Sequence, residues 1–164
     1  QCYPQVCVVD RPEHLRAGTV PMNEVLLHDI SLTQADFYLQ THSTNPLLQS
    51  GTVERAISAF LEAWPEHDSL FSVTRWQTRL YDQDGIAINH NPGELLRTQD
   101  LHPVFEENSC LYLFSADHLR KNNKREKKKP LLFELDPVEA WDIDEELDFL
   151  IANFLLEQRP YVQN

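Results

Sequence analysis

Asp142-Ile143-Asp144 places two carboxylates one residue apart, just ahead of an apolar helical stripe. At the end of a strand, where successive side chains alternate faces, the two would point the same way. Converging carboxylates repel, and a hard divalent cation relieves that repulsion. Mg²⁺ takes one or two protein carboxylates and completes its shell with water and phosphate oxygens. The same residues also fit a plainer role, with Asp144 as a helix N-cap, Asp142 as a loop acid, and Glu145 and Glu146 complementing the helix dipole.

Two other groupings could do chemistry. The loop Gln40-Thr41-His42-Ser43-Thr44-Asn45-Pro46 is dense in side-chain donors and acceptors and follows an apolar strand. In α/β sheets ligands sit at the carboxyl ends of strands, and this loop suits sugar hydroxyls or a base edge; an ordinary Asn-Pro turn is the alternative. A Ser/His hydrolase is disfavoured at His42 and Ser43, because no G-x-S-x-G elbow exists. Arg75, Arg79 and Arg97, with Gln99 and Asn108, could meet a carboxylate or phosphate. Surface ion pairing in an acid-rich chain is the other possibility.

The elements that must position these residues follow from periodicity. Strands are expected at 6–9 (VCVV), 36–40, 69–74, 110–114 and 131–135. A helix is expected over 21–30. A second, over 52–64, carries Val53, Ala56, Ile57, Phe60, Leu61 and Trp64 on one face and ends before Pro65. A short helix follows at 116–120. A last one, capped by Asp144, has the stripe Leu147, Leu150, Ile151, Phe154 and Leu155. Segment 79–91 is expected to be a hairpin turning at Asp84-Gly85. Alternating strands and helices predict an α/β class with a mostly parallel sheet. The 164 residues suit one domain, burying roughly two thirds of the unfolded surface.

Composition excludes several functions. The four glycines, Gly18, Gly51, Gly85 and Gly93, lie far apart, so no Gly-rich phosphate cradle is present. Net charge is −12, which repels nucleic acid. Segment 120–129, RKNNKREKKK, carries seven of the 14 bases, among them every lysine, and one acid; its +6 leaves −18 elsewhere. It reads as a solvated loop. RNA binding there is disfavoured, since no aromatic is interleaved to stack on bases. Cys2, Cys7 and Cys110 form no C-x-x-C pair, which suits reduced thiols and a cytoplasmic location. No apolar run approaches the ~20 residues of a membrane span, and none resembling a secretory signal opens the chain. The opening Gln1 suggests a processed or truncated piece.

Four stretches together resemble the acylneuraminate cytidylyltransferases, which make CMP-activated sialic and related nonulosonic acids. They are DFYLQTHSTNPLL (36–48), DSLFSVTRWQTRLYD (68–82), LRTQDLHPVFEENSCLYLFS (96–115) and FELDPVEAWDIDEELDFLIA (133–152). The opening VVDRPEHL is similar to the family's segment leading into the sheet. The resemblance implies a three-layer α/β/α fold of the nucleotide-diphospho-sugar transferase type, with a mixed sheet. It implies attack by the anomeric hydroxyl of a nine-carbon keto acid sugar on the α-phosphate of CTP, with pyrophosphate leaving.

Residue by residue, Gln40, Thr41, His42 and Ser43 resemble the loop beside nucleotide and sugar. Arg97 and Gln99 resemble the polar pair near the sugar, where Arg97 could hold the sugar carboxylate. Asn108 and Tyr112 match the N-G-A-I-Y stretch, which here reads N-S-C-L-Y. Asp142 and Asp144 resemble the Mg²⁺-binding aspartates.

The family's N-terminal strand and its triphosphate-wrapping loop, A-R-x-G-S-K-G, have no counterpart in these 164 residues, so the first β-α-β part of the fold is missing. The expectation is a single truncated domain over 1–164, inactive or weak alone. A non-catalytic dimerising or regulatory module derived from the fold is the alternative. The hairpin 79–91, with Leu80, Tyr81, Ile86 and Ile88, is expected to be an apolar arm that pairs two copies.

Overall fold

A computed structural model describes residues 3–125 and 129–158. Four strands form one sheet: β1 (Phe37–Thr41), β2 (Ser69–Trp76), β3 (Val104–Ser115) and β4 (Pro130–Glu134), in the order β1-β3-β2-β4. Four α-helices accompany them: α1 (Met22–Asp29), α2 (Ser50–Ala63), α3 (Ala116–Asn122) and α4 (Glu146–Gln158).

The sheet is mixed rather than mostly parallel. β3 runs antiparallel to both β1 and β2, while β2 and β4 are parallel. Alternation of strands and helices misleads here because β2 and β3 are joined by the irregular segment 77–103 instead of a crossover helix. β1, β2 and β4 therefore end at the same edge.

The alternating side chains of β3 build two cores, one on each face of the sheet. Tyr112 and Phe114 pack with Leu26 and Ile30 of the α1 segment and Leu119 of α3. Leu111 and Leu113 pack with Ala56 and Phe60 of α2 and Leu70 of β2. Helices thus cover both faces, in the three-layer arrangement. Each large apolar side chain buried this way contributes about 1.5–3 kcal/mol. Trp64 closes α2 in an extended conformation, as the residue before a proline must. Its ring meets Phe37 edge-on at 4.9 Å.

Several expectations need correction. Residues 6–9 form no strand, and Val6, Val8 and Val9 are exposed. β3 begins at Val104, six residues earlier than the apolar pattern indicates, because its first half pairs only with β2 and carries polar residues. The hairpin at 79–91 is reduced to a single bridge, Tyr81 with Ala87. Its turn holds three residues, not two: Gly85 N–H donates to the Asp82 carbonyl at 3.1 Å, and Gly85 supplies the left-handed φ of 78°. On α4 only Ala152 is buried; Leu147, Leu150 and Phe154 of the expected stripe are exposed. Among the described residues no helix is long and apolar enough to cross a membrane. Cys2, and Glu126, Lys127 and Lys128 of the basic run, lie outside the described residues.

Candidate active site

Past the ends of β2 and β4 lies an open cleft of about 450 Å³. Thr74 and Trp76 of β2, Glu106, Glu107, Asn108 and Ser109 of β3, and Asp142, Asp144 and Asp148 line it. Asp142 and Asp144 therefore share one cleft, at the carboxyl edge of the parallel strands. Strand alternation is not the cause, because β4 stops at Glu134 and both acids sit in an irregular segment. Hydrogen bonds to the loop after β1 hold that segment. Ile143 N–H donates to the Thr44 carbonyl at 3.0 Å, and Asn45 Nδ2 donates to the Trp141 carbonyl at 3.3 Å. The buried Glu139 carboxylate accepts from Gln49 N–H at the start of α2, where the helix dipole favours an anion.

Asp144 does not cap α4. The Asp148 carboxylate reaches back and accepts from the N–H groups of Asp144 and Glu145, at 3.2 and 3.0 Å. Asp142 Oδ1 accepts from Ile143 N–H at 3.0 Å. Glu106 is engaged by Trp76 Nε1 at 2.7 Å, and Glu107 by the Tyr112 hydroxyl. Among the described residues no group of three or more His, Cys, Asp or Glu side chains is placed to hold a metal ion. Two carboxylates on one cleft fit an ion that keeps water and takes substrate oxygens, as Mg²⁺ does, and not a closed protein cage.

Asn108 has a structural task. Its Oδ1 accepts from Ser72 Oγ at 2.5 Å and from Cys110 N–H at 3.3 Å, while its Nδ2 donates to Thr74 Oγ1 at 3.1 Å. Ser72, fully buried, accepts from Leu111 N–H in turn. These bonds close the break in the β2–β3 ladder between Phe71 and Val73. Ser109, standing where the N-G-A-I-Y pattern has glycine, adopts φ 58°. Glycine there would carry no Cβ penalty.

Gln40 and Tyr112 are direct cross-strand partners. Arg125 lies over the Tyr112 ring, 3.7 Å from its centroid, and donates from Nη1 to Gln40 Oε1 at 3.0 Å. That bond fixes the Gln40 amide, so its Nε2 donates to His42 Nε2 at 2.9 Å. Burial, then the bond to Glu107, raises the Tyr112 pKa and keeps the phenol protonated. Thr41 at the end of β1 and Ser43 on the loop after it are exposed. Nothing in the sequence signals the Arg125 contact, because Arg125 lies 85 residues from Gln40 inside a run that reads as solvated.

Arg97 and Gln99 are not brought to this cleft. Arg97 is 73% exposed and holds Asp100 through two N–H donors at 2.7 and 3.2 Å, and Gln99 lies beside it on a 3₁₀ turn. Arg79 is spent on the Leu96 carbonyl. A larger cavity, about 710 Å³, opens at the other end of the sheet around Asp36, Trp64 and Ser115, and none of the candidate residues lines it.

Cys110, fully buried beside Asp142, has its pKa pushed up to about 12, by burial first and the Asp142 charge second. A thiol so disposed does not react as a thiolate at working pH. At pH 8, N-ethylmaleimide is expected to label the exposed Cys7 and to leave Cys110 unmodified until the chain unfolds, read by peptide mass mapping. Native labelling of both at equal rates would contradict the burial.

Comparison with known proteins bears on these residues. The chain is 27% identical over 160 residues to a post-translational flagellin modification protein B of Campylobacter coli, an alignment covering 91% of this chain and 67% of that protein. It is 32% identical over 74 residues to a CMP-N,N′-diacetyllegionaminic acid synthase of Campylobacter jejuni, covering 45% of this chain and 32% of that one. The family model described as cytidylyltransferase matches residues 2–163, a span that takes in the sheet, the β1 loop and the paired aspartates alike. On that match the chain belongs to the cytidylyltransferase family.

Proposed function

We propose that this chain forms the sugar and metal side of a site that joins CMP to a nonulosonic, sialic-type acid. One observation carries the proposal: Asp142 and Asp144 line a single cleft, and their segment is hydrogen-bonded to the donor-rich loop after β1. The name of one relative, a CMP-N,N′-diacetyllegionaminic acid synthase, supports the substrate class.

In this proposal the anomeric hydroxyl of the sugar acid bonds to the α-phosphorus of CTP as the bond to pyrophosphate breaks. Gln40, Thr41, His42 and Ser43 offer donors and acceptors to sugar and nucleotide, and Tyr112 forms part of the wall. Asp142 and Asp144 would hold Mg²⁺, which when bound neutralises charge gathering on phosphoryl oxygens. Asp144 suits that role because its carboxylate has no hydrogen-bond or ion-pair partner among the described residues. The reaction belongs in the cytoplasm, where CTP is available.

Positioning and charge neutralisation dominate phosphoryl transfer. The 164 residues contain no basic glycine loop to meet a triphosphate. Taken alone they are expected to bind CTP no tighter than about millimolar, since each unneutralised charge in a partly buried site costs on the order of a few kcal/mol. Calorimetry with CTP and Mg²⁺ checks this, and micromolar affinity would overturn it. The function itself is tested with the complete gene product, CTP, Mg²⁺ and N,N′-diacetyllegionaminic acid. Formation of the CMP-sugar with pyrophosphate release is expected. Its absence across several nonulosonic acids would leave a non-catalytic module.

Assembly as a homodimer through segment 79–91 is part of the proposal. Tyr81, Ile86 and Ile88 are exposed on a segment that keeps only one bridge, too little to be stable alone, and Leu95 just beyond it is 93% exposed. Burying them in a pair should cover at least about 1,000 Å². Sedimentation is expected to show a dimer that the double change Ile86→Asp, Ile88→Asp converts to monomer. A monomeric wild type at about 50 μM, a Kd limit near −6 kcal/mol, would count against it.

A further inference from the structure

We propose that Asp148 is a positioning residue for the paired aspartates, clasping the backbone at Asp144 so that both acids stay poised for one cation. This rests on the Mg²⁺ role proposed above for Asp142 and Asp144. The two acids stand on an irregular segment between β4 and α4, so no repeating ladder sets their backbone. Two long-range bonds fasten its upstream half: Ile143 N–H to the Thr44 carbonyl at 3.0 Å, and Asn45 Nδ2 to the Trp141 carbonyl at 3.3 Å. Neither bond involves Asp144. An acid free to swing must be ordered when the ion binds, and that ordering lowers affinity.

Asp148 supplies the missing hold. Its Oδ2 accepts from Asp144 N–H at 3.2 Å and from Glu145 N–H at 3.0 Å. It is the third residue of α4, the position from which an acid reaches back to the start of a helix. Trp141 closes the bracket from the other side, its Nε1 donating to the Asp148 carbonyl at 3.2 Å. The carboxylate and the carbonyl of one residue thus tie down both ends of 141–145, with the paired acids between them. Although Asp148 lines the cleft, its Oδ2 is committed to backbone donors. Among the described residues no group of three or more His, Cys, Asp or Glu side chains is placed to hold an ion. Asp148 therefore acts through Asp144 and not as a third ligand. A residue that only starts α4 would make the same bonds, so the test must read the ion as well as stability.

The experiment titrates the full 164-residue chain with Mn²⁺, reading the free ion by electron paramagnetic resonance, beside thermal unfolding. Removing a partner that orients a metal ligand typically costs about 10–100-fold in affinity, so Asp148→Ala should weaken Mn²⁺ binding by at least about tenfold. Asp148→Asn, whose amide oxygen can accept the same two N–H groups, should stay within about threefold of wild type. Asp148→Ser, too short to reach back to Asp144, takes the place of Asp148→Ala if that chain does not fold. Equal loss in Asp148→Asn and Asp148→Ala would show that the charge itself meets the ion, and would overturn the inference alone. A lowered melting temperature with Mn²⁺ affinity unchanged would confine Asp148 to starting the helix and would also overturn it. A wild type whose Mn²⁺ binding is untouched by Asp142→Asn and by Asp144→Asn defeats the proposed metal site, and this inference with it.

Discussion

For the proposed reaction, replacing Asp142 or Asp144 with Asn in the complete gene product is expected to lower turnover by about 10²–10³, the usual cost of removing one group that stabilises developing charge. Stability should hardly change. Asp144 makes no side-chain bond among the described residues, and Asp142 only the one to Ile143 N–H, which an amide oxygen can replace. Asn also removes one of five carboxylates crowding the cleft, so melting should stay within about 0.5 kcal/mol of wild type. Turnover measured across Mg²⁺ concentration, beside thermal unfolding, separates the two effects. Turnover within tenfold of wild type at saturating Mg²⁺ would remove these acids from the metal site.

Asn108→Leu should act in the opposite sense, on the fold before the chemistry. It keeps the branched skeleton but strands the Cys110 N–H and the buried Ser72 hydroxyl, and it strips Thr74 of its donor. Each buried group left unsatisfied costs about 1–3 kcal/mol, so a loss near 3 kcal/mol is expected in urea unfolding. Ser72→Ala, which orphans Leu111 N–H and removes one donor to Asn108 Oδ1 but spares the Cys110 and Thr74 bonds, should cost about half as much. A loss below about 1 kcal/mol for Asn108→Leu would show that water replaces these bonds.

The contrast between these residues shows what was legible in the sequence. The paired aspartates could be found because carboxylate spacing and chain order are linear information. The reason they meet was not legible: their segment is irregular, and long-range bonds to the β1 loop set it. Asn108 lines the cleft and is also a clasp across the β2–β3 break, a second role that only pairing register reveals. α2 was readable to within two residues, since its apolar period and Pro65 act locally. The direction of β3 was not, because strand polarity depends on how segment 77–103 returns. Arg125 was hidden for the same reason, its partners being 85 and 13 residues away.

Segment 77–103 leaves the sheet after Trp76 and re-enters at Val104, and these two residues are paired neighbours. The ladder therefore already holds the ends of the excursion together. Doubling its length would add only about 0.6 kcal/mol of closure entropy, and shortening it would recover as little. The arm can thus be lengthened, trimmed or rewritten by evolution almost without thermodynamic consequence for the strands that carry Asn108 and Tyr112. In a chain built this way the surface of segment 77–103 and the lining of the cleft are free to diverge at different speeds.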